Sequence, residues 1–281
     1  MELKGKKIVV IGMGKTGIAT ASFLGARGSA VVAVDEKPFG QWGDGFELLA
    51  GQPWLKTGNY DSTVLDDVDM VVPSPGIPPG NDILSAAQKK GILIISELEL
   101  ASRFIRVPIV AVTGTNGKTT ATTLLGRILA YSGKKIFIGG NIGNPLIEYA
   151  GFPQNDDFIV AEISSFQLQW TSTFRPHAAV LLNITCDHVN YHGSFEAYRQ
   201  VKAGIFKNQQ EADLAILNAE DDAQKGLAAS IRSQVVLFSS KRSLSPGIFV
   251  GEKTIVFSRP DGTDEHYPLS MISLPGLHNV E

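Results

Sequence analysis

The residues best suited to chemistry in this sequence form a glycine-rich run near the middle of the chain. The run follows the apolar stretch Ile109–Thr113 and consists of Gly114, Thr115, Asn116, Gly117, Lys118, Thr119 and Thr120. Between a strand and a helix, such a loop wraps phosphates with its backbone N–H groups, while the lysine reaches the β/γ oxygens and a hydroxyl holds Mg²⁺. The first glycine of the full phosphate-loop motif would fall at Val112, so the match is partial. We predict a nucleoside triphosphate site here, in preference to a chance Gly-Lys-Thr at a helix start.

A second glycine cluster lies near the start of the chain, between an apolar run and a helical pattern. It begins with Gly12 and continues with Gly14, Lys15, Thr16 and Gly17. This spacing lets the backbone approach a diphosphate at a helix N-terminus. The next strand pattern ends at Asp35, where a dinucleotide-binding fold places its ribose-binding acid. The cluster predicts a diphosphate ligand but leaves three alternatives open: NAD in a dehydrogenase, a nucleobase contacting Asp35, or a tightly packed turn that binds nothing.

Three further side chains are candidates for phosphate chemistry. Glu162 ends an apolar run, so we expect it at the carboxyl end of a strand, the edge where ligands bind in open α/β sheets. His188 follows the neighbouring run Ala178–Asn183, so both side chains could face the γ-phosphate. The structural alternatives are a helix-capping glutamate and a surface histidine. Lys202 falls in a helical pattern, and its spacing alone favours a solvated lysine.

The elements that must position these residues alternate between short apolar runs and helical patterns, which is typical of parallel sheets wound with helices. In the first part we predict strands at Lys7–Ile11, Ala30–Asp35, Met70–Val72 and Leu93–Ser96, with helices at Thr16–Ala26 and Ile83–Lys89. In the second part we predict strands at Ile109–Thr113, Phe158–Ile163, Ala178–Asn183 and Leu214–Asn218, with helices at Lys118–Tyr131 and Phe195–Lys207. Past Val235, short strands at Ile248–Val250, Thr254–Phe257 and His266–Leu269 indicate a small β appendage.

The polar junction Arg103–Pro108 separates the two parts. We therefore predict an α/β protein of two domains. Residues 1–106 would form a Rossmann-like domain, and residues 107–281 a central α/β domain of the phosphate-loop ATPase type that carries the β appendage.

Composition narrows the functional classes. The chain has 281 residues, of which 43% are hydrophobic and 19% charged, with a net charge of -3. A dedicated nucleic-acid binder would usually carry a basic excess. The single cysteine, Cys186, cannot form an internal disulfide, which fits a reducing compartment. The sequence has no apparent signal peptide and no apolar run near the roughly 20 residues that span a bilayer, so we expect a cytoplasmic protein.

Several motifs in this order resemble the Mur ligases, the family that builds the peptide stem of bacterial cell walls. They are Ser74–Ile77, Thr113–Thr119, Gly140–Gly143, Glu162–Leu168, Asn183–His188 and the pair Tyr198 and Lys202. Asn116 in the phosphate loop and the run Ser164–Leu168 are most similar to the branch that adds D-glutamate, since the L-alanine-adding relatives usually have histidine in that loop.

This resemblance implies an ATP-dependent amide ligase whose substrates are UDP-N-acetylmuramoyl-L-alanine, ATP and D-glutamate. For the uridine nucleotide it implies contacts from Gly14, Lys15, Thr16, Gly17, Asp35, Glu36, Lys37, Ser74, Gly76, Asn141 and His188. For ATP it implies contacts from Gly114, Thr115, Asn116, Gly117, Lys118, Thr119, Thr120 and Asn279.

The resemblance also implies the catalytic residues Lys118, Glu162, His188 and Lys202 and two Mg²⁺ ions. Thr119 and Glu162 would hold the first ion, and Glu162 and His188 the second. Lys202 matches the lysine that carries a carbamate in this family, beside the second ion. Because CO₂ adds only to a neutral amine, the pKa of that lysine, ordinarily about 10.4, would have to be lowered.

Mur ligases continue into a C-terminal domain that completes the ATP site and binds the incoming amino acid. We expect that domain to be absent from this sequence, and we expect a monomer with no nucleic-acid or membrane partner. The alternatives are an NAD-dependent oxidoreductase, a non-catalytic nucleotide-binding module and another ligase of the family, such as the L-alanine-adding one.

Overall fold

The computed structural model describes residues 1–271, which form an α/β chain built on two sheets. The first sheet consists of five parallel strands: β1 (Lys7–Ile11), β2 (Ala30–Val34), β3 (Leu55–Thr57), β4 (Met70–Pro73) and β5 (Leu93–Ile94). The helices of this part are α1 (Lys15–Ala26), α2 (Asp82–Lys89) and α3 (Glu97–Ser102). The strand order β3-β2-β1-β4-β5 reverses direction between β1 and β4, and ligands of open α/β sheets bind at such a switch point.

The turn between β1 and α1 needs glycine for steric reasons. A Cβ atom added at Gly17 would lie 1.9 Å from the carbonyl oxygen of Gly12. Only a residue without a side chain lets α1 pack this closely on the turn. The N-terminus of α1 therefore lies directly beside the carboxyl end of β1.

The second sheet has nine strands: β6 (Ile109–Thr113), β7 (Ile136–Gly140), β8 (Phe158–Glu162), β9 (Ala178–Leu181), β10 (Leu214–Asn218), β11 (Gln234–Ser239), β12 (Gly247–Val250), β13 (Thr254–Ser258) and β14 (Asp264–Pro268). Its helices are α4 (Lys118–Tyr131), α5 (Leu146–Tyr149), α6 (Ser165–Leu168), α7 (Val189–His192) and α8 (Phe195–Ala203). The strand order is β14-β13-β12-β11-β10-β9-β6-β8-β7. The strands β6 to β12 pair in parallel, whereas β13 and β14 are joined to the edge by antiparallel pairing.

The register of this sheet brings the candidate site residues to one edge. Glu162, the last residue of β8, pairs with Val112 on one side and with Gly140 on the other. The carboxyl ends of β6, β7 and β8 therefore meet at one edge, where the glycine-rich run follows β6 and the Asn141 loop follows β7. Side chains that follow these three strands come within hydrogen-bonding reach of one another.

The fold class predicted from sequence is confirmed, with differences at element ends. Ser96 caps α3 instead of extending a strand, and the helix predicted to reach Lys207 ends at Ala203 before a 3₁₀ turn. The strands β3, β7 and β11 were not predicted from sequence. The β appendage is present as short strands, but these continue the edge of the nine-stranded sheet and do not form a separate unit.

The two sheets share buried contacts. One hydrophobic cluster contains side chains from both parts of the chain, and the Arg27 guanidinium, just after α1, donates to the carbonyl of Ala150, just after α5, at 3.1 Å. Within residues 1–271, no helix is both long and apolar enough to cross a bilayer.

Candidate nucleotide and substrate site

The glycine-rich run lies between β6 and α4, as the sequence predicts, and it is braced by a neighbouring strand end. The side-chain oxygen of Asn183 accepts hydrogen bonds from the backbone N–H groups of Thr115 at 3.1 Å and Asn116 at 2.8 Å. The Lys118 ammonium donates to the carbonyl of Thr115 at 2.7 Å, so it lies over the loop. The loop is thus folded around a lysine at the N-terminus of a 14-residue helix, the arrangement that binds phosphates.

Glu162 is connected to both neighbouring strand ends through its two carboxylate oxygens. Thr119 donates to Oε2 at 2.7 Å and the Asn141 amide donates to Oε1 at 2.8 Å. The glutamate is only 2% exposed. A buried carboxylate that receives only neutral donors keeps lone pairs and charge for a cation. The helix-capping alternative is therefore wrong for Glu162.

Lys202 is buried beneath the phosphate loop, so the expectation of a solvated lysine from spacing alone is wrong. It is 1% exposed, and its ammonium donates to the carbonyl of Gly114 at 2.7 Å. Burial, together with the charge of Lys118, lowers the pKa of Lys202 to about 7, against an opposing effect of Asp187. A neutral amine is therefore well populated near neutral pH.

Aromatic and imidazole rings surround the start of α8. The His188 ring lies 4.7 Å from Phe166 and 6.2 Å from Tyr198, and the histidine has a left-handed backbone with φ of 49°. His192 stacks on Phe166 and shares a hydrogen bond of 3.0 Å with the Ser165 hydroxyl. Burial, with the nearby charges of His188 and Lys202, lowers the pKa of His192 to about 4, so its imidazole is neutral.

The first glycine cluster is held in place by Asp35 and Ser74. The Asp35 carboxylate accepts the backbone N–H groups of Met13 and Lys37, so it ties the glycine turn to the loop after β2. The Ser74 hydroxyl donates to the carbonyl of Gly12 at 2.6 Å. This geometry favours a built ligand site at the switch point, and it gives Asp35 a bracing role in addition to any contact with a nucleobase.

The structure brings some predicted residues together and leaves others apart. Thr119, Glu162 and Asn141 form one hydrogen-bonded group, while His188 pairs with Asp187 at 3.4 Å. Within residues 1–271, no three His, Cys, Asp or Glu side chains gather as a ready-made metal cluster. Asn279 lies outside the described residues.

Other predicted contacts lie in the loops after β2 and β4 and in the first turn of α1. Glu36 lies near Tyr60, whose pKa is raised by burial and by the Glu36 charge. A Cβ atom added at Gly76 would meet no atom within 4 Å, and Thr16 accepts the hydroxyl of Thr20 at 2.8 Å through its carbonyl. Open space over Gly76 is compatible with a ligand approaching that loop.

Sequence reasoning did not assign roles to three residues at this site. Asn183 braces the phosphate loop, the Tyr198 hydroxyl lies 3.0 Å from that of Thr115, and His192 packs among the rings. Asn183 was singled out from sequence as the end of a predicted strand and the start of a family-like motif, and neither signal indicated a bracing role. Tyr198 was singled out only through its family-like pairing with Lys202, and neither it nor His192 could be assigned a role, because Thr115 and Ser165, which they contact, are distant in the chain.

Comparison with protein-family models matches residues 112–281 to the Mur ligase middle domain and residues 6–96 to the Mur ligase MurD-like N-terminal domain. The chain belongs to the Mur ligase family. The motif resemblance and the predicted fold class are both confirmed by this assignment.

Curated members of the family are similar along the whole chain. A UDP-N-acetylmuramoylalanine--D-glutamate ligase of Syntrophus aciditrophicus is 50% identical over 284 residues, and one of Koribacter versatilis is 44% identical over 282 residues. Both alignments cover 100% of this chain and 62% of the relative, so the chain spans under two thirds of their length.

A solved Mur-family structure has the same fold. It is the Neisseria meningitides UDP-N-acetylmuramate:L-alanyl-gamma-D-glutamyl-meso-diaminopimelate ligase, with a TM-score of 0.59 and 20% identity, covering 98% of this chain and 90% of that one. At this identity the likeness concerns the fold alone.

Proposed function

We propose that this chain is the nucleotide- and substrate-binding part of an ATP-dependent amide ligase that adds D-glutamate to UDP-N-acetylmuramoyl-L-alanine. The observation that carries the proposal is the hydrogen-bonded group of Thr119, Glu162 and Asn141. It links a phosphate loop to the loop that would hold the acid end of the second substrate. The identities of the two substrates, D-glutamate and the uridine nucleotide, are inferred from the names of the curated relatives.

The proposed ligand contacts fall into two domains, residues 1–106 and residues 107–281. The first domain would bind the uridine diphosphate through its glycine cluster, Asp35 and Ser74. The central domain would bind the ATP phosphates through residues 114–120. The reacting carboxylate would lie between them, near Asn141 and His188.

The proposed reaction has two steps. The substrate carboxylate attacks the γ-phosphorus of ATP, forming an acyl phosphate as the bond to ADP breaks. The D-glutamate amine then attacks the acyl carbon, forms the amide and releases phosphate while losing a proton. Lys118 would hold the β/γ oxygens as negative charge moves to the bridging oxygen, and electrostatic stabilisation of this kind is the main source of catalysis in phosphoryl transfer.

The side chains present fit a magnesium ion. Mg²⁺ in nucleotide sites usually takes one or two carboxylates and completes its shell with phosphate oxygens and water. Glu162 with the Thr119 hydroxyl offers such a set, and bound Mg²⁺ would neutralise phosphate charge. Glu162 and His188 would hold a second ion, which would neutralise further phosphate charge.

Lys202 is proposed to carry a carbamate. Its burial and its pKa of about 7 support a neutral amine that can attack CO₂. Forming the carbamate would convert a buried cation into a carboxylate beside the phosphate loop, where it would support the second ion.

Binding calorimetry tests the proposal. The chain should bind Mg²⁺–ATP and UDP-N-acetylmuramoyl-L-alanine separately, and NAD weakly or not at all. Lys118→Ala should weaken Mg²⁺–ATP binding by roughly tenfold or more, since a charged hydrogen bond contributes about 1.5–3 kcal/mol, and leave the uridine nucleotide unaffected. Lys134→Ala, an exposed lysine beyond α4, is the matched control.

Two outcomes of this experiment would contradict the ligase assignment. Tight NAD binding would support the oxidoreductase alternative. A parallel loss of both nucleotides in Lys118→Ala, with the fold intact, would contradict separate sites.

A further inference from the structure

Tyr191 connects the two domains by hydrogen bonds to a backbone loop. It lies in α7, three residues after His188, and its hydroxyl donates to the carbonyls of Ile77 at 2.9 Å and Pro75 at 3.3 Å. Burial raises the pKa of Tyr191 to about 12, so the hydroxyl stays protonated and remains a donor. One side chain of the central domain thus holds the loop that follows β4.

The loop that Tyr191 holds is packed against the proposed diphosphate site. Ser74 donates to the carbonyl of Gly12, and a Cβ atom added at Gly12 would lie 3.1 Å from the Ile77 side chain. The 74–77 loop and the glycine turn are therefore packed as one unit, and the hydrogen bond from Tyr191 fixes the position of that unit relative to the central domain.

The ring of Tyr191 contacts the proposed reaction centre at its other end. It lies 4.4 Å from the Phe166 ring and 4.8 Å from the His192 ring, and Phe166 also contacts His188. The same side chain thus touches a loop of the diphosphate site and the rings beside the proposed site of the reacting carboxylate.

A second bridge joins the same two regions elsewhere. The Lys15 ammonium donates to the Gly143 carbonyl at 2.7 Å and to the Asn144 side chain at 3.0 Å. The backbone carbonyl of Asn144 in turn accepts the N–H of Gly140, the last residue of β7, which directly precedes Asn141. Two polar bridges therefore connect the glycine turn and the 74–77 loop to the central domain, one at the loop after β7 and one at α7.

We propose that Tyr191 is a positioning residue that sets the span between the diphosphate site and the site of the reacting carboxylate. The inference rests on the proposed function. A substrate that must contact both domains binds more tightly when their spacing is already correct, because no binding free energy is then lost in ordering the two domains. A ligand confined to one domain gains nothing from that spacing.

Tyr191→Phe tests this role because it removes only the hydroxyl and keeps the ring. Dissociation constants would be measured by calorimetry with Mg²⁺ for UDP, for Mg²⁺–ATP and for UDP-N-acetylmuramoyl-L-alanine. We expect UDP and Mg²⁺–ATP to change less than about twofold, and the full substrate to bind about fivefold more weakly, the effect of losing one ordinary hydrogen bond. Tyr131→Phe, at a side chain that is 98% exposed, should change none of the three constants.

The outcomes separate the two claims. If wild-type protein binds the full substrate more tightly than UDP, and Tyr191→Phe weakens both equally or neither, the positioning role is overturned. If wild-type protein binds the full substrate no more tightly than UDP, the proposed function is contradicted, and the positioning role with it. Thermal midpoints of both variants would be measured first, and binding would be run at a temperature where both are fully folded.

Discussion

The hydroxyl of Thr119 donates a 2.7 Å hydrogen bond to Glu162, joining the first turn of α4 to the end of the adjacent strand β8. The glutamate is buried, and Asn141 occupies its other oxygen. The phosphate loop and the Asn141 loop are therefore coupled through a single carboxylate. A change at Glu162 should affect both loops, whereas a change at Thr119 should affect only the nucleotide side.

We expect Glu162→Gln and Thr119→Val to weaken Mg²⁺–ATP binding by at least about tenfold, because a cation–carboxylate contact or its hydroxyl partner is lost. UDP binding should stay within about twofold in both variants. Thr123→Val, one turn further along α4, serves as the control. The dissociation constants would be measured by calorimetry with and without Mg²⁺. Variants that bind Mg²⁺–ATP as tightly as the wild-type protein would show that Glu162 and Thr119 do not hold the metal ion.

The end of β7 should not tolerate a side chain. Gly140 has φ of +100°, and an added Cβ atom would lie 2.4 Å from the carbonyl oxygen of Glu162. Gly133 is a matched control with φ of +86° and no atom within 4 Å of its added Cβ. We expect Gly133→Ala to cost about 1 kcal/mol of unfolding free energy from backbone strain, and Gly140→Ala to cost at least about 2 kcal/mol more from the clash. Equal losses in urea unfolding would show that the strand end relaxes freely.

The stability contribution of Lys202 should depend on pH in a defined direction. Its folded pKa is about 7 against 10.5 for an ordinary lysine, so between these values the unfolded chain holds a proton that the folded chain has released. Wild-type stability should therefore rise with pH relative to Lys202→Met, by up to about 1.4 kcal/mol per pH unit. Urea unfolding of both proteins from pH 6.5 to 9.5 measures this difference. A difference that stays constant with pH would place an ordinary, solvated ammonium at Lys202.

Two glutamates of α3 have pKa values shifted in opposite directions, so they should give the stability of the protein opposite dependences on pH. Burial raises the pKa of Glu97 to about 7, and one of its oxygens has no hydrogen-bond partner. Between pH 4.5 and 7 the folded chain holds a proton that the unfolded chain lacks, so wild-type stability falls as pH rises through this window. Glu97→Gln should remove that fall and raise stability at pH 7.5, as measured by urea unfolding.

Glu99 provides the internal comparison for Glu97. Burial alone would raise its pKa, but hydrogen bonds from Thr173 and Ser172 and the Arg103 guanidinium lower it to about 2. Its stabilisation is complete above pH 4.5 and lost as pH falls toward 2. Glu99→Gln should therefore cost roughly 2–4 kcal/mol at pH 7, and the cost should shrink below pH 4.5. The same pH dependence in both variants would contradict these opposite environments.

The sequence by itself determined the elements whose signals are local. The strand–loop–helix at Gly114–Thr120 and the glycine turn at Gly12–Gly17 are contiguous runs, and their chemistry depends on backbone conformation that neighbouring residues set. The fold class followed from the alternation of apolar runs and helical patterns. The Glu162 position also followed, because a residue that ends a buried strand lies at the ligand-binding edge.

Only the tertiary structure decided which distant side chains meet. Lys202 bonds to a carbonyl 88 residues away, and Tyr191 to one 114 residues away. Helical spacing favours a solvated Lys202, yet packing beneath the phosphate loop buries it and lowers its pKa. The three-residue strand β3 likewise exists because the sheet supplies its hydrogen-bonding partners, and so short a run does not encode a partner that lies elsewhere in the chain.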